Sequence, residues 1–118
     1  MALKVYSYSG CGTCRKALKW LDARKTPYTL VAIRETPPTK AELSKMLAVY
    51  GGEVRRLFNT SGLDYKALNM KEKLPKLSVD QALTLLAKNG NLVKRPFALT
   101  EKAGAVGFDE AVWTGLLR

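Results

Sequence analysis

A chain of 118 residues is long enough for one hydrophobic core and too short for two, and its 47% hydrophobic content is that of an ordinary globular domain. No apolar run approaches a membrane span, and the N-terminus lacks the pattern of a secretory signal peptide. The net charge of +10 suits an anionic small molecule or an acidic protein surface, but no DNA- or RNA-binding motif interleaves the basic pairs, so no direct nucleic-acid partner is expected.

The first unit reads as β-α-β. A strand rich in β-formers spans Leu3–Tyr8 and ends at the turn signal Ser9-Gly10. Ala17, Leu18 and Leu21 then recur at helical spacing, which predicts a helix over Cys14–Lys25. Pro27 separates it from a second strand over Tyr28–Arg34, parallel to the first through a right-handed crossover. Glu35-Thr36-Pro37-Pro38 breaks regular structure, and Thr39 with Glu42 forms a capping box. The helix behind that box carries Leu43, Met46, Leu47 and Tyr50 on its buried stripe and stops at Gly51-Gly52. Val54–Phe58 predicts a short helix, Asn59–Gly62 a loop, and the Lys-rich stretch Leu63–Leu77 further short helices. Ser78 and Gln81 supply a second capping box for a helix that buries Val79, Ala82, Leu83 and Leu86 and ends at Gly90. Pro96–Leu99 and Ala103–Val106 read as a hairpin about a turn at Thr100–Lys102. Asp109 caps a last helix with Val112, Trp113, Leu116 and Leu117 on its apolar side. The expected fold class is α/β, in one domain over residues 1–118 with a helical insertion at about 37–92, and a monomer.

Chemistry concentrates in Cys11-Gly12-Thr13-Cys14, at the junction of the first strand and helix. There, unpaired backbone N–H groups and the helix dipole favour an anion, and a thiolate is the nucleophilic form of cysteine. Cys14, one turn on, is placed to close a disulfide with Cys11. Zinc is not expected, because the chain has no other cysteine and no histidine. A static disulfide across so short a loop would stabilise little, and two inert core thiols are the remaining alternative. The strand–CxxC–helix context points to thiol redox chemistry, and a cysteine pair that cycles implies a reducing, cytoplasmic setting.

Several segments together carry a family resemblance: Tyr8 to Ala17 around the cysteines, Glu35 to Thr39, Phe58-Asn59-Thr60-Ser61-Gly62, Leu92 to Phe97, and Val106-Gly107-Phe108. In this the chain resembles the thioredoxin-like arsenate reductase (ArsC) family, which also contains the Spx-type regulators of RNA polymerase. The resemblance implies a thioredoxin-like fold with a central four-stranded mixed sheet flanked by helices, the helical insertion falling between the second and third strands. It implies Cys11 as nucleophile, Cys14 as resolving thiol and Arg95 as a catalytic arginine beside Cys11. Gly12, Thr13, Arg15 and Pro96 become candidate substrate-binding residues, with the Arg95–Pro96 bond cis and facing the cysteines. No bound cofactor is implied; glutathione is the expected co-substrate, with another thiol or disulfide as substrate, and the RNA polymerase α-subunit is the partner in the regulatory reading. Arsenate reductases of the family surround the oxyanion with three arginines. Only Arg95 has a match here, with Asn59 at a second position and no arginine at Ala105–Gly107. Each missing charge-assisted contact removes about 1.5–3 kcal/mol from oxyanion binding.

Overall fold

The computed structural model describes residues 3–117. Strand β1 (Lys4–Ser7) leads into helix α1 (Gly12–Ala23), and β2 (Thr29–Ala32) returns parallel to β1. Helices α2 (Lys40–Val49), α3 (Leu63–Ala67), α4 (Met70–Lys73) and α5 (Val79–Lys88) all precede β3 (Phe97–Leu99), and single 3₁₀ turns lie at Val54–Leu57, Leu74–Lys76 and Gly90–Leu92. Strand β4 (Gly104–Val106) and helix α6 (Glu110–Leu116) close the fold. The sheet order is β2-β1-β3-β4, with β1 antiparallel to β3 and β3 antiparallel to β4. This is the expected thioredoxin-like mixed sheet.

Because side chains alternate across a strand, the sheet divides the core in two. Tyr6, Phe97 and Leu99 face one side, where they meet Leu43 and Met46 of α2, Leu57, Phe58 and Leu86 of α5. Leu3, Val5, Ala98 and Ala105 face the other, against Ala17 and Leu21 of α1 and Trp113 and Leu116 of α6. The inserted helices therefore cover one face while α1 and α6 cover the opposite one.

Local signals fix most boundaries. Both capping boxes form: the Glu42 amide donates to Thr39 Oγ1 while the Thr39 amide donates to Glu42 Oε1, and Ser78 and Gln81 repeat the pattern. Asp109 Oδ1 accepts from the Ala111 and Val112 amides. Positive φ at Gly51 and Gly52 carries the chain out of α2. Four details differ from the sequence pattern. Helix α1 starts two residues earlier than its apolar periodicity, because Cys11 caps it through sulfur. Val79 and Val112 are exposed, lying off the packed stripes of α5 and α6. Helix α5 ends at Lys88 with Asn89 as its cap, and Gly90 serves a different need. A Cβ at Gly90 would lie 1.8 Å from the Ile33 carbonyl oxygen, so only glycine lets this turn press against the chain leaving β2.

Candidate functional site

The carboxyl end of β1, the start of α1 and the start of β3 converge at one end of the sheet. The loop Tyr8–Cys11 is held by the Cys11 amide, which donates to the Tyr8 carbonyl at 3.0 Å. Arg15 Nη1 donates to the Ser9 carbonyl at 2.8 Å, so this exposed guanidinium folds back to brace the loop just before the cysteines. Gly12 and Thr13 form the exposed first turn of α1. Thr13 lines a groove with Lys16, Trp20 and Phe108.

The two thiols differ sharply. Cys11 is part-exposed at the helix N-cap, and its Sγ accepts a hydrogen bond from the Cys14 amide at 3.4 Å. Cys14 is 1% exposed on the inner side of the helix. Burial pushes the Cys11 thiol up, but the Cys14 amide, the Cys14 thiol and the Arg95 guanidinium outweigh it and hold Cys11 below the ordinary thiol range. Burial also pushes the Cys14 thiol up, and with the neighbouring Cys11 it takes Cys14 to about 12, against the opposing pull of the Tyr8 backbone. Cys11 is therefore the more acidic of the two thiols, and Cys14 the one held protonated by burial.

Arg95 and Pro96 arrive from the other side. Their peptide bond is cis. Continuing the β1–β3 register beyond Tyr6–Phe97 sets Pro96 level with Ser7 and Arg95 level with Tyr8. Pro96 is buried, and its carbonyl accepts from the Gly107 amide at 2.9 Å. The Arg95 guanidinium lies 5.0 Å from the Tyr8 ring centroid, and its Nη1 is buried with no hydrogen-bond partner among the described residues. A buried guanidinium nitrogen without an acceptor is expensive, and it marks where an anion fits. The structure thus brings Cys11, Cys14 and Arg95 together around the start of α1, with Pro96 directly following Arg95 and Gly12, Thr13 and Arg15 in the exposed first turns of the helix.

Sequence reasoning singled out neither Tyr8 as a platform nor Arg34. The Arg34 guanidinium also lies over the Tyr8 ring, at 4.8 Å from its centroid. Tyr8 and Arg34 follow the ends of two adjacent parallel strands, paired up to Ser7–Ala32, and the carboxyl ends of parallel strands are where ligands of α/β sheets bind. That rule was the available signal. Asn59, the position lacking an arginine, lines the same hollow as Tyr8, Arg34 and Arg95.

Comparisons with known proteins agree with this architecture. The model of the ArsC family matches residues 6–116. The chain is 44% identical over 110 residues to YusI, an uncharacterised protein of Bacillus subtilis (strain 168), with 93% of each chain covered. It is 31% identical over 108 residues to the global transcriptional regulator Spx of Enterococcus faecalis (strain ATCC 700802 / V583), covering 92% of this chain and 80% of that one. Among solved structures, a protein described as a possible arsenate reductase from Streptococcus mutans UA159 superimposes with a TM-score of 0.89 at 38% identity, over 98% of each chain.

Proposed function

The chain belongs to the ArsC family, and on that premise we propose that it is a thiol–disulfide oxidoreductase with Cys11 as nucleophile and Cys14 as resolving thiol. One observation carries this reading: a part-exposed sulfur at a helix N-cap, accepting an amide hydrogen bond, stands beside a guanidinium group whose buried Nη1 has no hydrogen-bond partner among the described residues. In the first step the Cys11 thiolate attacks a disulfide R–S–S–R′. The new Cys11–S–S–R bond forms, the S–S bond of the substrate breaks, and R′S⁻ leaves and takes a proton from water. In the second step Cys14 loses its proton and attacks Cys11 Sγ, releasing RS⁻ and leaving the Cys11–Cys14 disulfide. An external thiol pair, for which glutathione is our choice, returns two electrons and two protons to the cysteines.

Arg95 holds an anionic portion of the substrate beside the reacting sulfur, and the Pro96 side of the loop bounds the approach. Burial suits Cys14 to its part. A thiol held near 12 does not compete for substrate, yet it lies one helical turn from the mixed disulfide it must resolve. The cytoplasm, where thiols are kept reduced, is the setting this cycle requires.

The test is NADPH consumption coupled through glutathione and glutathione reductase with a low-molecular-weight mixed disulfide as substrate. Turnover is expected in the wild type and lost in Cys11→Ser, while Cys14→Ser keeps a monothiol reaction through added glutathione. Full activity of Cys11→Ser would overturn the proposal.

A second reading, a redox-sensing regulator that binds RNA polymerase, is favoured by the 31% identity to Spx. Specific co-purification of the polymerase α-subunit with the oxidised chain, without disulfide turnover, would decide for it. Arsenate reduction is the weakest of the three readings. Asn59 presents a neutral amide in the hollow beside Arg95, so weak arsenate-dependent turnover is expected.

A further inference from the structure

Tyr8 and Arg95 border not only the thiol but a separate hollow of about 200 Å³, whose wall also includes Arg34, Asn59, Asp64 and Asn91. A whole small-molecule site measures roughly 300–1,000 Å³, so this hollow is sized for one end of a ligand. Its chemistry is specific. Two guanidinium groups lie within 5.0 Å of the centroid of one aromatic ring, and a carboxylate closes the wall.

That carboxylate is held in place. Asp64 Oδ2 accepts from Asn89 Nδ2 at 3.1 Å and from Asn91 Nδ2 at 3.4 Å, and neither bond uses Oδ1. Among the described residues the ion pairs are Lys4–Glu42 and Lys40–Asp80, so Asp64 is not neutralised by Arg34 or Arg95. A plain dianion entering the hollow would gain from the arginines and be repelled by Asp64. A ligand carrying an ammonium and a carboxylate on one carbon meets favourable charge on both sides.

We infer that the hollow between Arg34, Arg95 and Asp64 is a subsite for the α-amino-acid end of a peptidyl thiol or disulfide, its carboxylate on the arginines and its ammonium on Asp64. This rests on the thiol–disulfide reading for the position of the ligand's sulfur at Cys11, but the charge argument does not depend on turnover. Gly90 is part of the construction. Its close approach to Ile33 packs the turn bearing Asn91 against the chain that leads into Arg34.

The experiment uses two unreactive probes, S-methylglutathione and its glutaryl analogue, which lacks only the α-amino group. Each is titrated into the reduced protein and followed by heteronuclear NMR. S-methylglutathione is expected to bind about tenfold more tightly, with shifts at Arg34, Asp64 and Asn91. Asp64→Asn, which keeps an acceptor for both asparagines, should erase that preference, and Arg34→Gln should weaken the amino-bearing probe. Equal affinity for the two probes, a preference unchanged in Asp64→Asn, or no binding of either probe would overturn the subsite. A preference seen without disulfide turnover keeps the subsite and removes the reductase reading. Turnover with equal probe affinities does the reverse.

Discussion

Tyr6 in strand β1 and Tyr8 just past its end pack on the same side of the sheet, and their surroundings are opposite in kind. Tyr6 is buried, and its hydroxyl donates to Glu42 Oε1 at 2.6 Å; Lys4 Nζ donates to Glu42 Oε2 at 3.0 Å, and the Thr39 amide donates to Oε1 as well. Every charge in that cluster has a partner. Two residues on, Tyr8 has two guanidinium groups within 5.0 Å of its ring centroid, one with a buried nitrogen that has no hydrogen-bond partner among the described residues. A satisfied polar cluster contributes stability, whereas an unsatisfied one contributes a receptor. The strand therefore builds a joint at Tyr6, and the chain leaving it builds a binding surface at Tyr8.

This contrast can be broken by substitution at either end. Glu42→Ala removes half of a capping box and leaves the buried Tyr6 hydroxyl without its acceptor, so it should cost about 2–3 kcal/mol. Thermal unfolding would show a clearly lower Tm, while disulfide turnover per folded molecule stays at the wild-type level. Arg95→Ala should act the other way. Removing one charge-assisted contact of about 1.5–3 kcal/mol lowers kcat/KM for an anionic disulfide about ten- to a hundredfold. Its Tm should hardly move, because the lost group has an unpaired buried nitrogen. If Arg95→Ala instead unfolds the protein and leaves kcat/KM intact, the distinction between the two ends fails.

Gly90→Ala tests the packing that joins the binding surface together. The added carbon must displace the Ile33 backbone, which costs about 1–3 kcal/mol and shows as a lower midpoint in urea. The smallest effects are in pH. Burial pushes the Glu42 carboxyl up, but Tyr6, the Thr39 amide and Lys4 outweigh it and hold Glu42 below the ordinary range. A depressed folded value means that Glu42 contributes stability above the unfolded pKa and loses it as pH falls through the folded one. Stability should therefore decline from about pH 4.3 downward, and less steeply in Glu42→Gln, as read by urea melts. Cys11 should be alkylated at lower pH than an ordinary thiol, with the profile moving up in Arg95→Ala.

Much of this was legible in the chain itself. Capping boxes at Thr39 and Ser78, the β-α-β start and the closing hairpin follow from local chemistry, and the structure places each within a few residues of its sequence signal. The start of α1 was hidden because periodicity counts apolar residues, while Cys11 caps through its sulfur. Val79 and Val112 show the limit of pattern reading, since an apolar residue near a helix start faces wherever packing leaves it. The CxxC motif drew attention to Cys11 and Cys14 and the family resemblance to Arg95, but nothing in the sequence alone pairs Tyr8 with Arg34. They meet only because β1 and β2 end side by side. Gly90 looked like a helix stop and proved to be a point of backbone contact, which only the tertiary structure reveals.

The most direct measurement is mass spectrometry of the Cys14→Ser protein after incubation with glutathione disulfide, beside the wild type. The account predicts a glutathione adduct that accumulates on Cys11 in the variant, and an internal Cys11–Cys14 disulfide with little adduct in the wild type. A variant that takes up no glutathione at Cys11, under conditions where an ordinary exposed thiol reacts, would contradict it.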